Sequence, residues 1–95
     1  MSKSKHIVRF TPTEGGGVFG IWRDHDSGLL HAGGPIGTKD KALRLLGEGW
    51  ESARRGNKFR AWKPGGRHEF TALLWRIHRA GIDPEPVTTF RRITY

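Results

Sequence analysis

Cysteine is absent from the 95 residues. Disulfides and thiolate metal sites are therefore excluded, and nothing argues for an oxidising compartment. No apolar run approaches the roughly 20 residues of a membrane span. The opening Met1-Ser2-Lys3-Ser4-Lys5-His6 is not followed by the apolar stretch of a signal peptide. These absences predict a cytoplasmic protein with no membrane partner. Carboxylates are also scarce, nine against 17 Lys and Arg. They are spread thinly, so no pair is placed for acid–base work, and the five histidines have no nucleophile beside them. Asp24-His25-Asp26, with His31 nearby, is the one cluster that invites a hard-metal reading. Consecutive turn residues do not converge on an ion without ligands from elsewhere. Gly33-Gly34-Pro35-Ile36-Gly37-Thr38-Lys39 precedes a predicted helix, where free backbone N–H groups favour an anion. Its residue order and glycine spacing are not those of a P-loop. The expectation is a protein that is not an enzyme and carries no cofactor or metal.

What is present is aromatic and cationic. Four Trp and five Phe are more than a disordered chain carries, and 95 residues make one domain. The net charge of +8 is unevenly placed. Residues 1–37 and 68–95 each carry four Lys or Arg against three acids, while residues 38–67 carry nine against three. Most of that excess lies in Arg54-Arg55-Gly56-Asn57-Lys58-Phe59-Arg60-Ala61-Trp62-Lys63-Pro64-Gly65-Gly66-Arg67, with six cations, no carboxylate and two aromatic residues. Clustered positive charge interleaved with aromatic rings is the footprint of a nucleic-acid binder.

The chain in order predicts alternating elements. Residues 6–11 read as a strand, 12–17 as a flexible hairpin loop with three glycines, and 18–23 as a second strand. Alternation puts Val18, Gly20 and Trp22 on one face of that strand and Phe19, Ile21 and Arg23 on the other. Apolar groups on both faces suit a central strand. A turn at 24–28 and a short strand at 29–32 complete an antiparallel meander. Thr38 is the expected N-cap of a helix whose apolar side is Ala42, Leu43, Leu46, Trp50 and Ala53, with Arg44–Glu48 and Glu51–Arg55 as i,i+4 pairs. Gly47 and Gly49 weaken that helix and would bend or stop it at Leu46. Lys58–Lys63 reads as a fourth strand, with Phe59 and Ala61 on one face and Lys58, Arg60 and Trp62 on the other. A second helix runs from Arg67 or His68 to Ala80, striped by Phe70, Leu73, Leu74 and Ile77, with Trp75 extending the core. Gly81 ends it, and residues 87–95 form a last strand that includes Arg91 and Arg92.

The fold class is thus α+β. It is an antiparallel or mixed sheet of about four to five strands with two helices on one face, in the order β-β-β-α-β-α-β. Residues 1–5 are expected to be a disordered tail and 6–95 a single domain. Three strands followed by a helix, with Val18-Phe19-Gly20-Ile21-Trp22 on the second strand and Thr38-Lys39-Asp40-Lys41-Ala42 opening the helix, resembles two families in element order. One is the three-stranded DNA-reading domains at integrase N-termini, the other the HicB-like antitoxins. The likeness lies in element order alone, so no site residue carries over.

The functional expectation is a small basic nucleic-acid-binding protein, with DNA or RNA as partner. Arg54, Arg55, Lys58, Arg60, Lys63 and Arg67 would neutralise phosphates, Trp62 would stack or wedge, and Arg76 and Arg79 on the second helix would extend the footprint. The alternative is a protein-binding regulator or inhibitor that docks the same basic face on an acidic partner. A flat sheet edge also admits a homodimer.

Overall fold

A computed structural model describes residues 5–87. The class is α+β, with six strands and two helices in the order β-β-β-α-β-β-α-β. The strands are β1 Lys5–Arg9, β2 Val18–Asp24, β3 Leu29–Pro35, β4 Glu51–Arg55, β5 Lys58–Pro64 and β6 Glu85–Val87. The helices are α1 Lys39–Leu46 and α2 Arg67–Arg79. One sheet holds all six strands in the order β4-β5-β3-β2-β1-β6, every neighbour antiparallel.

Period-two alternation explains which face is covered. Val8, Phe19, Ile21, Leu30, Ala32, Phe59 and Ala61 all point to one side and are buried. The same core contains Ala42 and Leu46 of α1 and Phe70, Leu73 and Ile77 of α2. Both helices therefore lie on one face of the sheet, and the alternate residues of every strand are left on the other. Ala32 and Ala61 are paired neighbours on the inner face. Their small side chains leave room for the larger residues of the helices above them.

The first helix is shorter than its apolar spacing predicts. Gly47 ends it at φ 98°, and Gly49 follows at φ 91°. Both angles lie in the left-handed region that glycine adopts without strain. Trp50 still packs against the core, but residues 51–55 leave the helix register and become β4. The Glu51–Arg55 helical pair therefore does not exist. Thr38 stands at the N-cap position as expected, but its side chain does not cap the helix. It ends a 3-10 turn, Ile36–Thr38, and is buried.

Other boundaries follow the sequence closely. Glu69 accepts from the Gly66 N–H at 2.8 Å and opens α2, and that bond holds its carboxyl below the usual carboxylate range. Gly81, at φ 93°, donates to His78, and Ile82 behind it is buried. The glycine loop after β1 is tied down. Thr11 and Glu14 cap each other across the 3-10 turn Pro12–Glu14, while the Lys41 ammonium donates to the Glu14 and Gly16 carbonyls and lies over the Phe10 ring. Lys5, assigned to the tail on sequence, pairs with Trp22 in β1. Residues 1–4, and the part of the expected last strand from 88 onward with Arg91 and Arg92, lie outside the described residues.

Two features of this core are open to measurement. A methyl on Gly34 would stand 2.9 Å from the Phe19 Cβ and 3.0 Å from the Val18 carbonyl oxygen. Gly34→Ala should therefore lower unfolding free energy by about 1–3 kcal/mol in urea denaturation. His6 projects to the inner face against Phe70, its Nδ1 lacks a partner among the described residues, and burial lowers its pKa. The folded state thus disfavours the protonated His6 ring, while the unfolded chain protonates it near its ordinary value of about 6.5. Melting temperature should fall as pH drops below that value, and His6→Phe should make the fall shallower.

Candidate nucleic-acid interface

The uncovered face of the sheet carries the candidate site. Cross-strand register aligns Trp62 of β5, His31 of β3, Trp22 of β2 and Lys5 of β1 in one row. The adjacent row is Arg60, Gly33, Gly20 and Ile7. On the far side of Arg60, Arg55 and Lys58 face each other across the β4–β5 hairpin.

Three of these side chains, Lys5, His31 and Arg60, gather around the Trp22 ring. The Trp22 indole and the His31 ring stack at 5.4 Å with 9° between their planes. The Lys5 ammonium sits 5.2 Å from the centre of the Trp22 ring and the Arg60 guanidinium 5.5 Å from it. Such cation–π contacts hold a cation in place without cancelling its charge. The glycine row is what permits this packing. A methyl on Gly33 would meet the Arg60 Cδ at 3.3 Å and the Trp22 Cη2 at 3.5 Å, and one on Gly20 would meet the Lys5 Cε at 3.0 Å. With no side chains there, Arg60, Trp22 and Lys5 lie down over bare backbone.

Charge on this face is only partly compensated. Arg9 pairs with Glu85 at 3.5 Å, both half exposed. Lys5, Arg55, Lys58 and Arg60 have no ion pair among the described residues. The result is a flat aromatic strip bordered by cations, with one carboxylate, Glu51 of β4, opposite Trp62 and no described element over it.

The sequence-predicted site residues divide between the two faces. Arg55, Lys58, Arg60 and Trp62 come together on the open face. Arg54 and Lys63 point to the helix side. Arg54 Nε donates to the Gly56 carbonyl at 2.9 Å, and Lys63 Nζ to the Glu48 carbonyl at 3.2 Å. Arg67 opens α2 in the helix layer. Arg76 Nε donates to the Leu45 carbonyl at 2.8 Å, satisfying an orphan acceptor at the end of α1. With Arg44 and Arg79 it lines a shallow depression on the helix layer, which the open sheet face does not share. Lys5, Trp22 and His31 were missed as site residues. The alternation of residues 18–23 already placed Trp22 beside two small or apolar residues. Only strand pairing brings His31 and Lys5 to it.

Two further expectations change. Trp75 does not extend the core but is 59% exposed on α2, at the rim of a depression lined by His6, Leu74, His78 and Pro84. Gly33, Gly34 and Pro35 belong to β3, so they form no phosphate-cradling loop. Asp24-His25-Asp26 closes on itself, with the Asp26 N–H donating to Asp24 Oδ1 at 3.1 Å. Among the described residues no group of three or more His, Asp or Glu side chains is placed to hold a metal. No described helix is long and apolar enough to cross a membrane.

No family model, curated protein or solved structure matches this chain.

The site therefore rests on its own geometry. Replacing Gly33 with Val should push Arg60 and Trp22 off the sheet. Tryptophan emission should shift and Arg60 should become more accessible to arginine-directed labelling, and because the new Cβ also meets the Phe59 carbonyl oxygen at 3.2 Å, melting temperature should fall.

Proposed function

We propose that the protein binds single-stranded nucleic acid on the open face of its sheet, as a binding module and not an enzyme. The observation that carries this reading is the row Trp62–His31–Trp22, bordered by Lys5, Arg55, Lys58 and Arg60. Flat rings on an uncovered sheet suit unpaired bases, and nearby cations suit the phosphates that link them. Trp22 already has cations and His31 around its ring. Trp62, half-buried between His31 and Glu51 in the row, has no cation over its ring among the described residues and is the better platform for an incoming base.

Dimensions favour a single strand over a duplex. Six strands about 4.8 Å apart make a surface roughly 24 Å wide, twice the width of a major groove at about 12 Å. A surface of that breadth does not fit an undeformed groove, whereas a flexible single strand can lie across it. Arg54, Lys63, Arg76 and Arg79 fall outside this footprint.

The test is a salt titration of a labelled single-stranded oligonucleotide, with duplex as comparison. Lys58→Glu combined with Arg60→Glu should weaken binding at least 10-fold on every sequence and reduce the salt slope by about 1 to 2. Trp62→Ala should cost roughly 5- to 100-fold, the range expected for one lost stacking partner. Arg76→Glu should change little. Unchanged affinity in the Lys58/Arg60 double variant would overturn the reading.

A protein-binding regulator is the second reading, and the exposed Trp75 on the helix layer supports it. On that reading Trp75→Ala would abolish capture of an acidic partner protein, with no oligonucleotide retained at physiological salt.

A further inference from the structure

We infer that β4 is a self-pairing edge, and that two copies of the chain join their sheets through it as an antiparallel dimer. All five residues of β4 are exposed, and β4 is the last of the described strands on its side of the sheet. An open edge of this kind presents unpaired N–H and C=O groups to another strand. The opposite edge is less suited, because β6 has Pro86 at its centre and Glu85 is engaged by Arg9.

The occupant is set by register and charge. Residues Gly56 and Asn57 alone connect Arg55 to Lys58, so those two form a hydrogen-bonded pair. Parity then turns the backbone groups of Glu51, Ala53 and Arg55 towards β5, and those of Ser52 and Arg54 outward. A second β4 must meet outward groups with outward groups, so a symmetric axis passes through a residue, and only axes through Ser52, Ala53 or Arg54 pair three or more residues of the five-residue strand. An axis through Arg54 sets two arginines opposite each other, and one through Ser52 leaves Glu51 facing Ala53. The axis through Ala53 sets Glu51 opposite Arg55 twice, with Ser52 and Arg54 exchanging backbone hydrogen bonds twice and the small Ala53 side chains at the centre. Glu51 and Arg55 are then non-hydrogen-bonded cross-strand neighbours, the closer kind. Neither has an ion pair among the described residues of a single copy. Both lie on the open face, so the two open faces would become continuous across the seam.

This inference does not rest on nucleic-acid binding and is tested without it. A pairing of two five-residue strands buries less than the roughly 1,200 Å² of a tight complex. It should therefore appear only at high concentration and low salt. Sedimentation of the nuclease-treated full chain from about 20 µM to about 1 mM should show mass rising from one copy towards two. Glu51→Arg and Arg55→Glu, each of which opposes like charges twice, should weaken association about 10-fold or more. The double charge swap should restore it. Ser52→Pro removes an outward N–H while sparing the inward ladder, and should abolish association with an unchanged circular dichroism spectrum. A wild-type chain that stays single up to about 1 mM would overturn the inference. So would a Ser52→Pro variant that dimerises as wild type, or a double swap that does not recover.

Discussion

The register of β5 is the constraint on which the molecule turns. Phe59 and Ala61 are 1% and 0% exposed beneath the two helices, and they cannot leave the core without emptying it. Because side chains alternate with period two, burying that pair sends Lys58, Arg60 and Trp62 to the opposite face. A slip of one residue would bury an arginine and a lysine and expose Phe59, at a cost no surface interaction could offset. The cationic and aromatic composition of the open face is thus enforced by apolar packing on the other side.

Bare backbone on the open face is the second constraint. Gly20 and Gly33 pair across β2 and β3, leaving a floor between the outer strands. Long side chains from β1, β2 and β5 lie over it and meet at the Trp22 ring. Those cations are thereby positioned before any ligand arrives, which reduces the side-chain ordering that binding would require. The helix layer spends its arginine differently, with Arg76 fastened to the end of α1.

Much of the fold was legible because several signals agreed locally. In α2 the stripe of Phe70, Leu73 and Ile77, the glycine at 81 and the proline beyond it all point to the same helix. In β5 the alternation alone separated core from surface. Legibility failed where two periods competed. Residues 50–55 place Trp50 and Ala53 at helical spacing, and the sequence there is too short and too charged to declare itself a strand. Its identity depends on a partner, β5, and on two glycines that turn the chain back. The site was half legible for the same reason. Sequence clustering found Arg55, Lys58, Arg60 and Trp62. It did not separate them from Arg54, whose strand reads as helix in the sequence, although the alternation of β5 already set Lys63 on the Phe59 side. Lys5, Trp22 and His31 join the site only through pairing between strands distant in the chain.

The four tryptophans report on every surface that matters: Trp22 and Trp62 on the open face, Trp50 against the core and Trp75 on the helix layer. The most direct measurement is therefore a nitrogen–proton NMR titration with a short single-stranded oligonucleotide, following the four indole N–H signals. The account predicts that the Trp22 and Trp62 signals move, together with amides of β3 and β5, while Trp75 stays in place. Movement of Trp75 and the α2 amides, with Trp22 and Trp62 unchanged, would contradict it.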